Sequence, residues 1–264
     1  MRLQRSRTGY KPPVTNAPKR PQRSAGVAAI AAASLIALGA NGCSSSPDQT
    51  TATNVVLVGD SLADQAGPYL SAMIGTKSFT PRYFGGTEPC GWLDTDLGIT
   101  ASSIVVISFT GNSITPCMSD GSGGHLQGQA LIDKYRSDVS ALVTIALDLS
   151  AQVMLVGQPV QGDGVGGNDI VMGLNATYVD LARQQDVTFV DAGAAVENPD
   201  GTFASSLPCL SNEQECDPTG SNVVRNDDGL HFCSGSTPEP CAVYSSGAYR
   251  FARTIADAIA SDAN

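Results

Sequence analysis

The chain has 264 residues, with 15 Lys plus Arg against 25 Asp plus Glu and a formal net charge of −10. Seven of the cations precede residue 43; without them eight stand against 25 acids, about −17. A surface of that sign argues against nucleic acid, anionic lipid or a strongly anionic substrate as the partner.

Residues 1–42 contain no acid, and a basic, Pro-containing stretch up to Arg23 precedes the apolar run Gly26 to Ala40. This is the layout of an export signal, and the run is shorter than the roughly 20 residues a membrane-spanning helix needs. The sequence Leu38-Gly-Ala-Asn-Gly-Cys43 that follows resembles a bacterial lipoprotein signal, which implies lipid on Cys43 and a new N-terminus there. Membrane contact is then expected only through that lipid or the signal itself. Residues 43–53 are small and polar, a tether, and residues 54–264 are enough for one domain.

Within that domain apolar runs alternate with helical patterns. Val55 to Val58 is a β-branched run suited to a strand buried on both faces, and Gly59 breaks it. Leu62, Ala63, Ala66, Tyr69, Leu70 and Met73 then recur at helical spacing. Strands are predicted at Thr80 to Phe84, Ser103 to Phe109, Val153 to Val156 and Val187 to Val190. Helices are predicted at Gln127 to Leu149, Asp169 to Gln185 and Ser246 to Ile259. Asn198 to Asn226 reads as irregular. Alternation of this kind predicts a three-layer α/β/α sandwich around a mostly parallel sheet, with ligands outside the carboxyl ends of the strands.

Asp60 and Ser61 fall where the first strand becomes a helix. A serine there lies beside unpaired backbone N–H groups that favour a developing oxyanion, although both residues could merely cap the helix. The chain has two histidines, His125 and His231. In Asp228-Gly-Leu-His231 an acid three residues before the imidazole can orient it from the same side of a helical or tight turn. His125 lies in the Gly- and Ser-rich stretch Asp120 to Leu126 and reads as an exposed loop residue.

Together, Val58-Gly-Asp-Ser-Leu62, Phe109-Thr-Gly-Asn112 and Asp228-Gly-Leu-His231 resemble the SGNH (GDSL-like) hydrolase family over roughly Thr53 to Ile259. Thr110 stands where the family has a glycine, and Ser113 where it has an aspartate. The resemblance implies a flavodoxin-like SGNH fold and a serine esterase without metal or organic cofactor. Ser61 would be the nucleophile, His231 the base and Asp228 its orienting acid. The oxyanion hole would come from the N–H of Ser61, the amide of Asn112 and the N–H of Gly86, with Gly85 as the alternative to Gly86. A looser resemblance, over the Gly85-to-Cys90 region and the Asp-x-x-His block, is to SGNH domains attached to membrane acyltransferases that modify cell-surface glycans. It implies hydrolysis or transfer of short acyl groups on envelope carbohydrate. A long-chain lipase and a non-catalytic glycan-binding module are the alternatives. The loops assigned to the site are rich in Gly, Ser, Thr, Asn and Asp, with no run of large apolar residues to make a long acyl groove.

Of seven cysteines, a lipidated Cys43 removes the odd one. Six remain for disulfides in an oxidising compartment. Proximity favours Cys209 with Cys216 and Cys233 with Cys241, leaving Cys90 with Cys117. Zinc is the weaker reading, since there is no Cys-x-x-Cys pair. Gly162-Asp-Gly-Val-Gly-Gly167 matches a dinucleotide fingerprint, but Pro159 intervenes and Asp163 would face the pyrophosphate, so Gln158 to Gly167 is expected to be a loop near the site. Trp92 is expected to pack its loop down, or else to stack on a sugar or acyl group, and Arg82 and Arg225 to be surface charges.

Overall fold

A computed structural model describes residues 52–233 and 241–262. The expected export signal, Cys43 and nearly all of the expected tether lie outside the described residues. Five parallel strands form the central sheet: β1 (Asn54–Gly59), β2 (Ser78–Tyr83), β3 (Ser103–Ser108), β4 (Gln152–Val156) and β5 (Thr188–Val190). Their spatial order is β2-β1-β3-β4-β5. Four helices cover them: α1 (Ser61–Met73), α2 (Gly128–Asp148), α3 (Asn168–Gln185) and α4 (Ser246–Ser261). Element ends fall within about two residues of the sequence expectation.

Alternation along each central strand divides the core in two. Val55 and Leu57 of β1, with Ile104 and Val106 of β3, pack under α1 and α4 against Leu62, Leu70, Phe251 and Ile255. Val56, Val58, Val105 and Ile107 face α2 and α3, against Tyr135, Val139, Leu174 and Tyr178. Because both faces are covered, these strands read as unbroken apolar runs.

Asn198 to Asn226 is not wholly irregular. It carries an antiparallel pair, β6 (Ser206–Pro208) and β7 (Ser221–Val223), and the Cys209–Cys216 disulfide closes the loop between them. Three-residue strands with so little apolar content leave no alternation to detect.

The sheet order reverses at β1, whose neighbours are β2 and β3. A crevice therefore opens beyond their carboxyl ends, where the chain leaves on opposite sides. Gly59, paired with Ser108, sits at its floor. A side chain at residue 59 would place Cβ 2.3 Å from Ser108 O and 2.4 Å from Ala63 Cβ, so only glycine lets the strand turn into α1 this close to β3.

Candidate active site

Ser61 is the first residue of α1, so its N–H has no acceptor within the helix. Asp60 is the helix cap and accepts from Leu62 N at 3.3 Å. It does more than cap. The carboxylate is fully buried, and its Oδ2 accepts from Thr110 N (2.6 Å), Thr110 Oγ1 (2.7 Å) and Asn112 Nδ2 (3.0 Å). Thr110, which departs from the family glycine, thus supplies a hydroxyl donor to the carboxylate beneath Ser61. Burial raises the Asp60 carboxyl to about 6 against the opposing pull of the hydrogen bonds from Thr110 and Leu62 and the nearby His231.

The Asp228 to His231 block forms a tight turn, one of the two arrangements expected of it. Gly229 N donates to Asn226 O and Asn226 N to His231 O, which closes the turn. Asp228 Oδ1 accepts from the backbone N–H of Leu230 and of His231, both at 2.9 Å, while Oδ2 lies 2.7 Å from His231 Nδ1. Partial burial pushes the Asp228 carboxyl up, but the bonds from the His231 ring and the two backbone N–H groups outweigh it and hold the group at about 2. His231 Nε2 lies 3.0 Å from Ser61 Oγ. Asp227 is exposed and His125 is a loop residue exposed to solvent.

What ties the turn to Ser61 is Gln65, one helical turn further along α1. Its Oε1 accepts from Phe232 N at 2.8 Å, and its Nε2 donates to Cys233 O at 3.4 Å. One helix therefore positions both Ser61 and the residue following His231. Ser245 Oγ holds Phe232 O from the other side, and Cys233 is disulfide-bonded to Cys241. The only sequence sign of Gln65 is a polar residue on the apolar face of α1.

Opposite His231, the loops after β2 and β3 meet. A Cβ on Gly85 would lie 3.8 Å from Ser61 Cβ, and the Gly86 N–H makes no hydrogen bond to another described residue. Asn112 donates through Nδ2 to Asp60 Oδ2 and, at 3.3 Å, to Thr87 O, and its own carbonyl accepts from Tyr135 Oη at 2.8 Å. Glu88 joins the two loops. Its buried carboxylate accepts from Ile114 N (2.7 Å), Thr115 N (3.0 Å) and Thr115 Oγ1 (2.6 Å). Cys90 and Cys117 are disulfide-bonded across the same junction. Trp92 packs on the core beneath and donates Nε1 to Thr87 Oγ1 at 3.3 Å, so it holds the loop down.

Arg225 is not a surface charge. It is 1% exposed, donates to Gly229 O at 3.3 Å and lies over the rings of Phe203 and Phe232 at 5.8 and 5.6 Å. Desolvation lowers its guanidinium to about 10 despite the charges of Glu197 and Asp228. The glycine-rich loop beginning at Gln158 reaches the site through Gly162, whose N–H donates to Gly229 O at 2.8 Å. A Cβ on Gly162 would meet Gly229 Cα at 3.0 Å, so its glycine serves backbone contact with the acid's turn rather than a pyrophosphate. Among the described residues no cluster of His, Cys, Asp and Glu is placed to hold a metal ion, and no helix is long and apolar enough to cross a membrane.

Residues 97–236 match the family described as "Protein of unknown function (DUF459)". No curated protein matches the chain. Among solved structures it is similar to an α/β hydrolase enzyme from the metagenome of Lake Arreo, Spain (TM-score 0.53, 12% identity, 80% of this chain and 96% of that one). It is also similar to a GDSL-like lipase from Bacteroides thetaiotaomicron VPI-5482 (0.51, 15%, 80% and 89%). A third is a lipase/acylhydrolase from Enterococcus faecalis (0.50, 15%, 79% and 96%). At these identities the likeness is one of fold.

Proposed function

This chain belongs to the DUF459 family of proteins of unknown function, and we propose that it uses its SGNH hydrolase fold as an exported serine esterase for short acyl groups on envelope carbohydrate. The observation that carries the reading is the relay from Ser61 Oγ to His231 Nε2 at 3.0 Å and from His231 Nδ1 to Asp228 Oδ2 at 2.7 Å.

In that reading Asp228 accepts the Nδ1 proton, which leaves the Nε2 lone pair facing Ser61. As Ser61 Oγ adds to the ester carbonyl carbon, its proton passes to Nε2. The oxyanion is met by the N–H of Ser61 and Gly86 and by the Asn112 amide. Collapse breaks the ester C–O bond, and the departing alcohol takes the proton from Nε2. Water then repeats the sequence on the acyl-enzyme and releases the acid; a sugar hydroxyl in its place gives transfer. The 3.3 Å bond from Asn112 to Thr87 O is the longer of its two, and is the one that exchanges for the substrate oxygen.

A fluorophosphonate probe should label Ser61 in the wild type and nothing in Ser61→Ala, with ester turnover lost by about 10⁴-fold or more. Full activity in a folded Ser61→Ala protein would sink the mechanism. One observation favours the lipase alternative: Phe84 and Ile114, 63% and 67% exposed, flank the Gly85-Gly86 corner.

Three disulfides suit an oxidising, extracytoplasmic compartment. Export through residues 1–42 and lipid on Cys43 complete the proposal. Cys43→Ser should shift the protein from the membrane to the soluble fraction; retention would assign the anchor to Gly26 to Ala40 instead.

A further inference from the structure

We propose that the cavity beside Asp228 is a subsite for an uncharged, hydroxyl-rich sugar residue of the carrier that bears the ester. The inference rests on the esterase reading above. The cavity measures about 260 Å³ and is lined by Asp163, Phe203, Ser205, Asn226 and Asp227 beside Asp228. That is below the roughly 300–1,000 Å³ of pockets that enclose drug-sized ligands, and suits one monosaccharide unit.

Its position follows from the proton path. His231 Nε2 returns its proton to the departing oxygen, so the carrier leaves on the side of His231 and its turn. Asp228, in that turn, is also a wall of the cavity, one imidazole ring and two hydrogen bonds from Ser61 Oγ. A carrier whose ester carbonyl is presented to Ser61 would reach it with its neighbouring sugar.

The lining chemistry selects the ligand. Phe203 offers an apolar ring, and the carboxylates and Asn226 offer acceptors for hydroxyl protons. Donors stand behind two of the walls: Arg225 lies against the Phe203 ring and donates to Gly229 O, while its buried Nε and Nη1 have no partner among the described residues. Those two groups are closed off from the cavity, so the donors of the lining itself are the Asn226 amide and the Ser205 hydroxyl. An anionic carrier would meet Asp163, Asp227 and Asp228 and is disfavoured. A hydroxyl both donates and accepts, so it fits the mixed lining without a net charge.

The test compares 4-nitrophenyl acetate with O-acetylated xylo-oligosaccharides of one to four residues. In the wild type, kcat/KM should rise about tenfold between one residue and two or more, the size of one or two net hydrogen bonds, with the gain in KM. Asp227→Ala and Ser205→Trp should each abolish the rise while keeping wild-type turnover of 4-nitrophenyl acetate, which also reports that each variant is folded. A flat length profile in the wild type, or a rise that survives both substitutions, overturns the subsite and leaves the esterase reading standing. No turnover of 4-nitrophenyl acetate by the wild type overturns both.

Discussion

On one side of the candidate site, Ser61, Thr110 and Asn112 follow the ends of β1 and β3 and are joined by buried carboxylates, Asp60 below and Glu88 between the loops. On the other side, His231 rides on a turn whose carboxylate, Asp228, is 43% exposed, and the turn is held by Gln65 and Ser245 from other segments and by Arg225 just before it. Two ways of holding a side chain follow. Where parallel strands fix the backbone, a few charge-assisted hydrogen bonds align the remaining loops. Where no regular element exists, long-range tethers take over, and the acid stays near solvent, where it ionises readily. The carboxyls record the difference: burial lifts Asp60 to about 6, whereas the hydrogen bonds to Asp228 overcome its burial and hold it at about 2.

The sharpest break in this contrast is on the exposed side. Asp228→Asn should lower kcat by about 10⁴-fold, because the amide favours the wrong imidazole tautomer, whereas exposed Asp227→Asn should change it less than about threefold. Steady-state kinetics on a short ester would decide, and the reverse ranking would reassign the acid.

On the buried side, Asp60→Asn should act on stability. An amide cannot accept from Leu62, Thr110 and Asn112 as the carboxylate does, and the loss should be about 1–3 kcal/mol in urea melts. The pH dependence has a definite sign. The folded value, about 6, lies above the ordinary 3.8, so the native state binds more protons between them and gains stability as pH falls through that window. The stability gap between wild type and Asp60→Asn should therefore widen from pH 7 to pH 4. For Asp228 the sign is opposite: its folded value is depressed, so its contribution is present above about 3.8 and is lost as pH falls towards about 2. A gap that narrows on acidification would contradict the burial of an ionisable Asp60.

The smallest effect concerns the acyl side. Ile114 is held by Glu88 through its N–H, and its Cδ1 would lie 3.1 Å from a Cβ on Gly86. Ile114→Ala should lengthen the preferred acyl chain by one or two carbons on a chromogenic ester series, with a few-fold change in kcat/KM, since each buried methylene contributes about 0.8 kcal/mol. A wild-type optimum at eight or more carbons would promote the lipase alternative.

Much of this molecule is legible residue by residue. Val55 to Val58 and Ile104 to Ile107 are continuous apolar runs because their strands are covered on both faces, and the stripe Leu131, Tyr135, Val139 and Leu142 marks α2 as a helix. The blocks around Ser61, Asn112 and His231 stand out because each departs from such a run at a strand end or in a polar loop, and the six described cysteines pair with near partners in all but one case. Local burial and short chain separations leave those marks in the order of residues. Tertiary structure alone decided the rest. Arg225 reads as a surface charge until the Phe203 and Phe232 rings close over it, and Glu88 looks like any loop acid until β2 and β3 bring Ile114 and Thr115 to it. Gln65 finds Phe232 across 167 residues. A polar side chain reports its own chemistry but not its partner, and the partner is set by which loops the β2-β1-β3 order gathers at one end of the sheet.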